Sequence, residues 1–127
     1  MNRQVRPAAI AAPAANYAHA VVTESASQWL HTSGVVPTAP DGSVPDSLGD
    51  QAHQVWANIG AILAEAGMSP GDIVSVTTYV VHGESLAPVM AARDEFLGDH
   101  RAASTLVTVP ALARPEWKVE IALVASR

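Results

Sequence analysis

The sequence predicts an α+β protein, a mixed β-sheet with two helices packed on one face. Three observations carry that expectation. Apolar residues recur at helical spacing between Leu48 and Ala66, a second helical stretch runs from about Leu86 to Leu97, and β-branched runs lie before, between and after them. The 127 residues suit a single domain spanning 1–127 with one core.

Residues 17–36 read as two strands joined by a tight turn, YAHAVVTE, then SAS, then QWLHTSGVV, a hairpin rich in Val, Thr and aromatic residues. PTAPDGSVPDS, residues 37–47, is a loop, since it sets three prolines and a glycine between periodic segments. Leu48, Ala52, Val55, Ile59, Ile62 and Ala66 then line one helical face, with Ser47 and Asp50 as a capping-box-like start and Gly67 as a left-handed stop. IVSVTTYVV, residues 73–81, is β-branched nearly throughout, as a central strand should be. The second helix follows, with Ser85 as its cap, Pro88 tolerated in the first turn and Gly98 as its end. STLVTVP and WKVEIALVA close the chain and are expected to pair as neighbours.

With helices on one sheet face, the other is left too apolar for water, which points to an interface and a closed assembly of copies. Composition narrows the partners. Seven Lys and Arg against twelve Asp and Glu give a net charge of −5, with no basic run to meet phosphates, so a small molecule is expected and not a nucleic acid. Cysteine is absent, which removes disulfides and thiolate chemistry. The N-terminus imitates a signal peptide, yet its apolar stretch is mostly alanine and is broken by Pro7 and Pro13. No stretch is long enough to span a membrane, so a cytoplasmic protein is expected.

ANYAHAV at 15–21, LHTSGVVP at 30–37, QVWANIGAILAEAG at 54–67, DIVSVTTYVV at 72–81, HRAASTLVTV at 100–109 and VEIALVA at 119–125 resemble, in order and spacing, the reactive intermediate deaminase (RidA/YjgF) family. The resemblance covers nearly the whole chain. It implies a chorismate-mutase-like fold, a homotrimer with a barrel-like centre, and ligand pockets between subunits. It also implies hydrolysis of 2-imino and 2-enamino acids to 2-keto acids and ammonia, with no metal or organic cofactor. By motif, Tyr17 matches the family's pocket tyrosine, Ser33 and Gly34 its backbone-contact step, and Glu120 the acid of its last strand. The family's carboxylate-binding arginine falls on Ser104.

That substitution matters chemically. A guanidinium grips a carboxylate through two parallel charge-assisted hydrogen bonds, and a serine supplies one neutral donor. At about 1.5 to 3 kcal/mol for each charged hydrogen bond, imino-acid binding weakens by roughly ten- to several-hundred-fold. Ser104 and Thr105 instead suit a neutral or differently placed polar group. Arg101, Arg114 and Lys118 are the cations near enough in sequence to replace the arginine, although each also reads as a solvated charge.

Glu120 is the lone acid of its apolar run, and period two puts it with Lys118 and Ala122, opposite Val119 and Ile121. Read from the strand alone it pairs with Lys118 or a neighbouring chain; the resemblance makes it the group that positions water for attack on a C=N carbon. Tyr17 equally suits a packed aromatic with a satisfied hydroxyl. The five histidines show no metal-binding spacing, and only His31, on the same strand side as Ser33, is a candidate acid or base. Two functions remain, an imine or enamine hydrolase, including a pathway-specific catalyst with altered substrate, and a non-catalytic binding or regulatory trimer.

Overall fold

The computed structural model describes residues 1–127. Nine elements follow in order: strands β1 (Asn2–Val5), β2 (Ala20–Thr23) and β3 (Trp29–His31), helix α1 (Leu48–Glu65), a 3-10 turn (Pro70–Asp72), β4 (Ile73–Val81), helix α2 (Ala87–Leu97), β5 (Ala103–Val109) and β6 (Val119–Ser126). The main sheet runs β3-β6-β4-β5. β4 and β5 are parallel, joined across α2, while β6 is antiparallel to both β3 and β4, so the sheet is mixed as expected.

Two expected pairings are corrected. β2 and β3 form no hairpin, because β2 pairs with β1 and β3 with β6. At Ser25 the chain takes a positive φ of 55°, Glu24 N–H donates to Met1, and Ser27 and Gln28 donate to Arg127, so it leaves β2 for the far end of β6. β5 and β6 are not neighbours either. β4 stands between them, since a crossover helix brings β5 parallel to β4 and leaves the other edge of β4 for β6. β1 itself was unforeseen: NRQV has no β-branched run and is a strand only through its pairing with AVVT. The Asn2 amide fastens this ribbon to the sheet, donating to the Ser126 carbonyl and accepting from the hydroxyls of Thr23 and Ser126.

α1 begins as its sequence dictates. Ser47 Oγ accepts the Asp50 N–H, and Gly67, at φ 71°, turns the chain just past Ala66. Leu48, Ala52, Val55, Trp56, Ile59 and Leu63 are its buried face, displacing the expected Ile62 and Ala66 to half-buried positions. α2 ends at Gly98 (φ 57°), but its cap is Leu86 and not Ser85, whose hydroxyl takes only the Ala87 N–H at 3.4 Å. Trp56 stacks on Phe96 at 4.7 Å and locks the helices together. Beneath them, Val119, Ile121, Leu123 and Ala125 of β6 and Ile73, Val76 and Val80 of β4 complete the core.

On the solvent side of the helix pair, His53 Nε2 meets Glu95 at 3.0 Å and Nδ1 meets the Gly49 carbonyl at 2.9 Å. The Glu95 carboxylate, then that carbonyl, raise the His53 pKa above its usual 6.5. A raised folded-state pKa gives stabilisation that is complete below the unfolded value and disappears as pH rises through the folded one. The pair is exposed, so the effect is small. An NMR titration should place the His53 midpoint above 6.5, and Glu95→Gln should return it towards that value.

Candidate functional site

Alternation along β6 decides which way Glu120 faces. Val119, Ile121 and Leu123 face the helices, so Glu120, Ala122 and Val124 face the uncovered side. The register carries that face across Tyr79 and Thr77 of β4 to Val107 and Thr105 of β5. Glu120 is half-buried and its carboxylate makes no hydrogen bond or ion pair within the chain; Lys118, its simplest partner by sequence, reaches Glu84 at 3.3 Å instead.

Beside Glu120 the chain departs from the ladder. His31 pairs with Val124, and the next bridge joins Val35 to Ile121, so four steps on one strand face three on the other. The extra residue is a bulge at Ser33-Gly34, held at its ends by Thr32 N–H to the Leu123 carbonyl (3.0 Å) and Val35 N–H to the Ile121 carbonyl (2.7 Å). No protein acceptor takes the N–H of Ser33 or Gly34. Gly34 is required by close approach, since a Cβ there would stand 2.6 Å from Glu120 Cδ and 2.9 Å from Cγ. A carboxylate without a partner in the chain therefore packs against Gly34, in a bulge whose Ser33 and Gly34 amides take no acceptor from the chain.

The other expected site residues lie elsewhere in the protomer. Tyr17 accepts the Ala14 N–H at 3.3 Å and meets His19 edge-to-face at 6.0 Å. Its loop is tied to α2, where Asn16 donates to Asp94, itself gripped by the buried Arg93, and to the residue just ahead of β5, where Ala18 N–H donates to the Ala102 carbonyl. Tyr17 lines a cavity of about 420 Å³ whose wall includes Arg101 but none of Ser33, Gly34, Ser104, Thr105 and Glu120. Ser104 and Thr105 point to opposite faces. Ser104 pairs with the buried Val76 on the helix side, and Thr105 pairs with Thr77 on the Glu120 side. His31 is exposed and stacked on Trp29, four residues of β6 from Glu120 by register, roughly 13 Å along the strand.

Of the cations proposed to replace the arginine, Arg114 lies over the Trp117 ring and 4.0 Å from Glu116, and Lys118 holds Glu84. Arg101 donates to the Gly98 and His100 carbonyls and is in no ion pair. One positioning residue escaped the sequence reading. Gln51, buried in α1, donates to the Pro45 and Glu116 carbonyls and accepts the Lys118 N–H, each at 2.8 Å, so it fixes the start of β6 two residues before Glu120. Its position three residues after Leu48, on the apolar stripe, was the available signal.

The profile of the Endoribonuclease L-PSP family matches residues 7–127. The chain belongs to this RidA/YjgF family. Over 100 residues it is 37% identical to the 2-iminobutanoate/2-iminopropanoate deaminase of Escherichia coli K12, covering 76% of this chain and 77% of that one. Among solved structures, the Rid-family protein YyfB of Yersinia pestis superposes with a TM-score of 0.88 at 32% identity, covering 99% of this chain and 98% of that one. E. coli TdcF with bound serine superposes with a TM-score of 0.73 at 26% identity, covering 98% of each. The RidA/YjgF fold expected from the sequence is thus the fold of this chain.

Proposed function

We propose that the protein is a cofactor-free hydrolase of a small imine, enamine or similarly polarised metabolite. It acts as a homotrimer whose subunit clefts bring Tyr17 to the Glu120 niche, and it handles 2-imino acids poorly because Ser104 stands where the family's arginine would grip a carboxylate. The observation that carries this reading is the unpartnered Glu120 carboxylate packed against Gly34, beside the free amides of the bulge. Deaminase relatives at this identity and a relative holding serine support a small polar ligand.

The chemistry needs no further group. Glu120 takes a proton from water as the water oxygen bonds to the imine carbon and the C=N π pair moves to nitrogen. Returned to nitrogen, that proton completes a carbinolamine; Glu120 then takes the hydroxyl proton and passes it to the nitrogen as the C=O bond forms and the C–N bond breaks, leaving a carbonyl and ammonia. The Ser33 and Gly34 N–H groups donate to the polar atom that gathers charge.

The test is ammonia release from freshly generated imines, one bearing a 2-carboxylate and one the corresponding amide, with analytical ultracentrifugation of the same sample. A trimer that favours the uncharged imine is expected. A trimer that binds but turns over neither is a non-catalytic binding module, and would overturn the catalytic part of the reading.

A further inference from the structure

Glu120 has a neighbour on each side across the sheet. The Ser33-Gly34 bulge that follows β3 flanks it on one, and on the other its register partner in β4 is Tyr79. Residues directly opposite in an antiparallel pair carry their Cβ atoms about 5 Å apart on one face, so the phenol rises beside the carboxylate. Tyr79 is half-buried, and of the two tyrosine hydroxyls only that of Tyr17 has a hydrogen-bond partner in the chain. The Tyr79 hydroxyl is therefore a spare neutral donor next to the proposed general base, and the proton transfers of imine hydrolysis leave it unused.

The rest of the face has the same character. Thr77, next along β4, stands between Ala122 of β6 and Thr105 of β5, and Val107 pairs with Tyr79. No lysine or arginine is found among the strand-paired residues of this face. A ligand carboxylate seated here would meet the Glu120 charge with no cation to offset it, and like charges that close are unfavourable. A neutral carbonyl meets no such repulsion and accepts the single hydrogen bond that a phenol offers. Both ends of such a ligand are then matched, with the atom that gathers charge on the bulge amides, the carbonyl on Tyr79 and the reacting carbon over Glu120.

We propose that Tyr79 is the specificity-determining donor of this site, its hydroxyl binding an uncharged carbonyl next to the imine carbon. The substrate class is then 2-imino amides and related imines with a neutral carbonyl, and not 2-imino acids. For the reaction this rests on the hydrolase reading; the Tyr79 contact itself is one of binding.

The test compares the native chain with Tyr79→Phe, which keeps the ring and removes only the hydroxyl. Binding of 2-oxobutanamide, the product expected from 2-iminobutanamide, is followed by NMR titration and needs no turnover. The variant should bind it roughly three- to tenfold more weakly, the worth of one neutral hydrogen bond, at an unchanged melting temperature. In ammonia release, KM for 2-iminobutanamide should rise by that factor relative to KM for butan-2-imine, which lacks the amide. Loss of packing alone would not separate the two imines. If the native chain releases no ammonia from either imine while the binding difference stands, the hydrolase reading fails and Tyr79 keeps its assignment. No saturable binding of 2-oxobutanamide by the native chain, equal binding by native chain and variant, or equal KM changes for the two imines would each overturn the assignment of Tyr79.

Discussion

Glu120→Gln should, on the proposed hydrolase reading, lower kcat by roughly 10²- to 10⁴-fold, the usual contribution of a positioned general base. The amide keeps the size and the contact with Gly34 and loses only the ability to accept a proton, so thermal stability should hardly move. Gly34→Ala reaches the same end by another route. Its methyl would overlap the Glu120 side chain, and the flexible end of that side chain yields more easily than the backbone. Fold and melting temperature should survive while kcat falls towards the level of Glu120→Gln. Steady-state kinetics beside thermal melts of both variants decide the matter. Near-native kcat in Glu120→Gln would remove the carboxylate from the mechanism.

The largest effect on stability should come from Gln51→Leu. The leucine fits the apolar stripe, so hydrophobic burial is maintained, but the Pro45 and Glu116 carbonyls and the Lys118 N–H lose their partner together. At about 1 to 3 kcal/mol for each buried polar group left unmatched, the loss is about 3 kcal/mol or more. That is a large part of the 5 to 15 kcal/mol typical of a folded domain. A melting temperature lower by roughly 10 °C is expected. Activity should fall too, even well below the melt, because the Gln51 amide fixes the strand that presents Glu120. A melting temperature within a degree or two of native would show that water replaces the amide at no cost.

The helices and β4 were legible because their signals are local. In α1 the Ser47 cap and the terminal Gly67 stand where the chain announces them, whereas the cap expected at Ser85 of α2 falls on Leu86. Pairing was not legible. QWLH and VEIALVAS lie some ninety residues apart, and nothing in either names the other as its neighbour, whereas SAS between two apolar runs imitates a hairpin turn. Glu120 could be singled out as the lone acid of an apolar strand, and its face followed from alternation. The bulge could not, because counting an extra residue at Ser33-Gly34 requires the register against β6. Gln51 lies on the apolar stripe of α1, which marks it as buried, but the loops it joins are visible only in the fold.

The proposal that Ser104 leaves the site without an anion grip is tested most directly by kcat/KM for freshly generated 2-iminobutanoate, measured on the native chain and on Ser104→Arg. Ser104 is half-buried on the edge strand β5, so a melt of the variant accompanies the assay. Weak native turnover that rises at least tenfold with the arginine, chiefly through KM, is the predicted result. Native turnover that is already efficient and gains nothing from the arginine in a folded variant would contradict it.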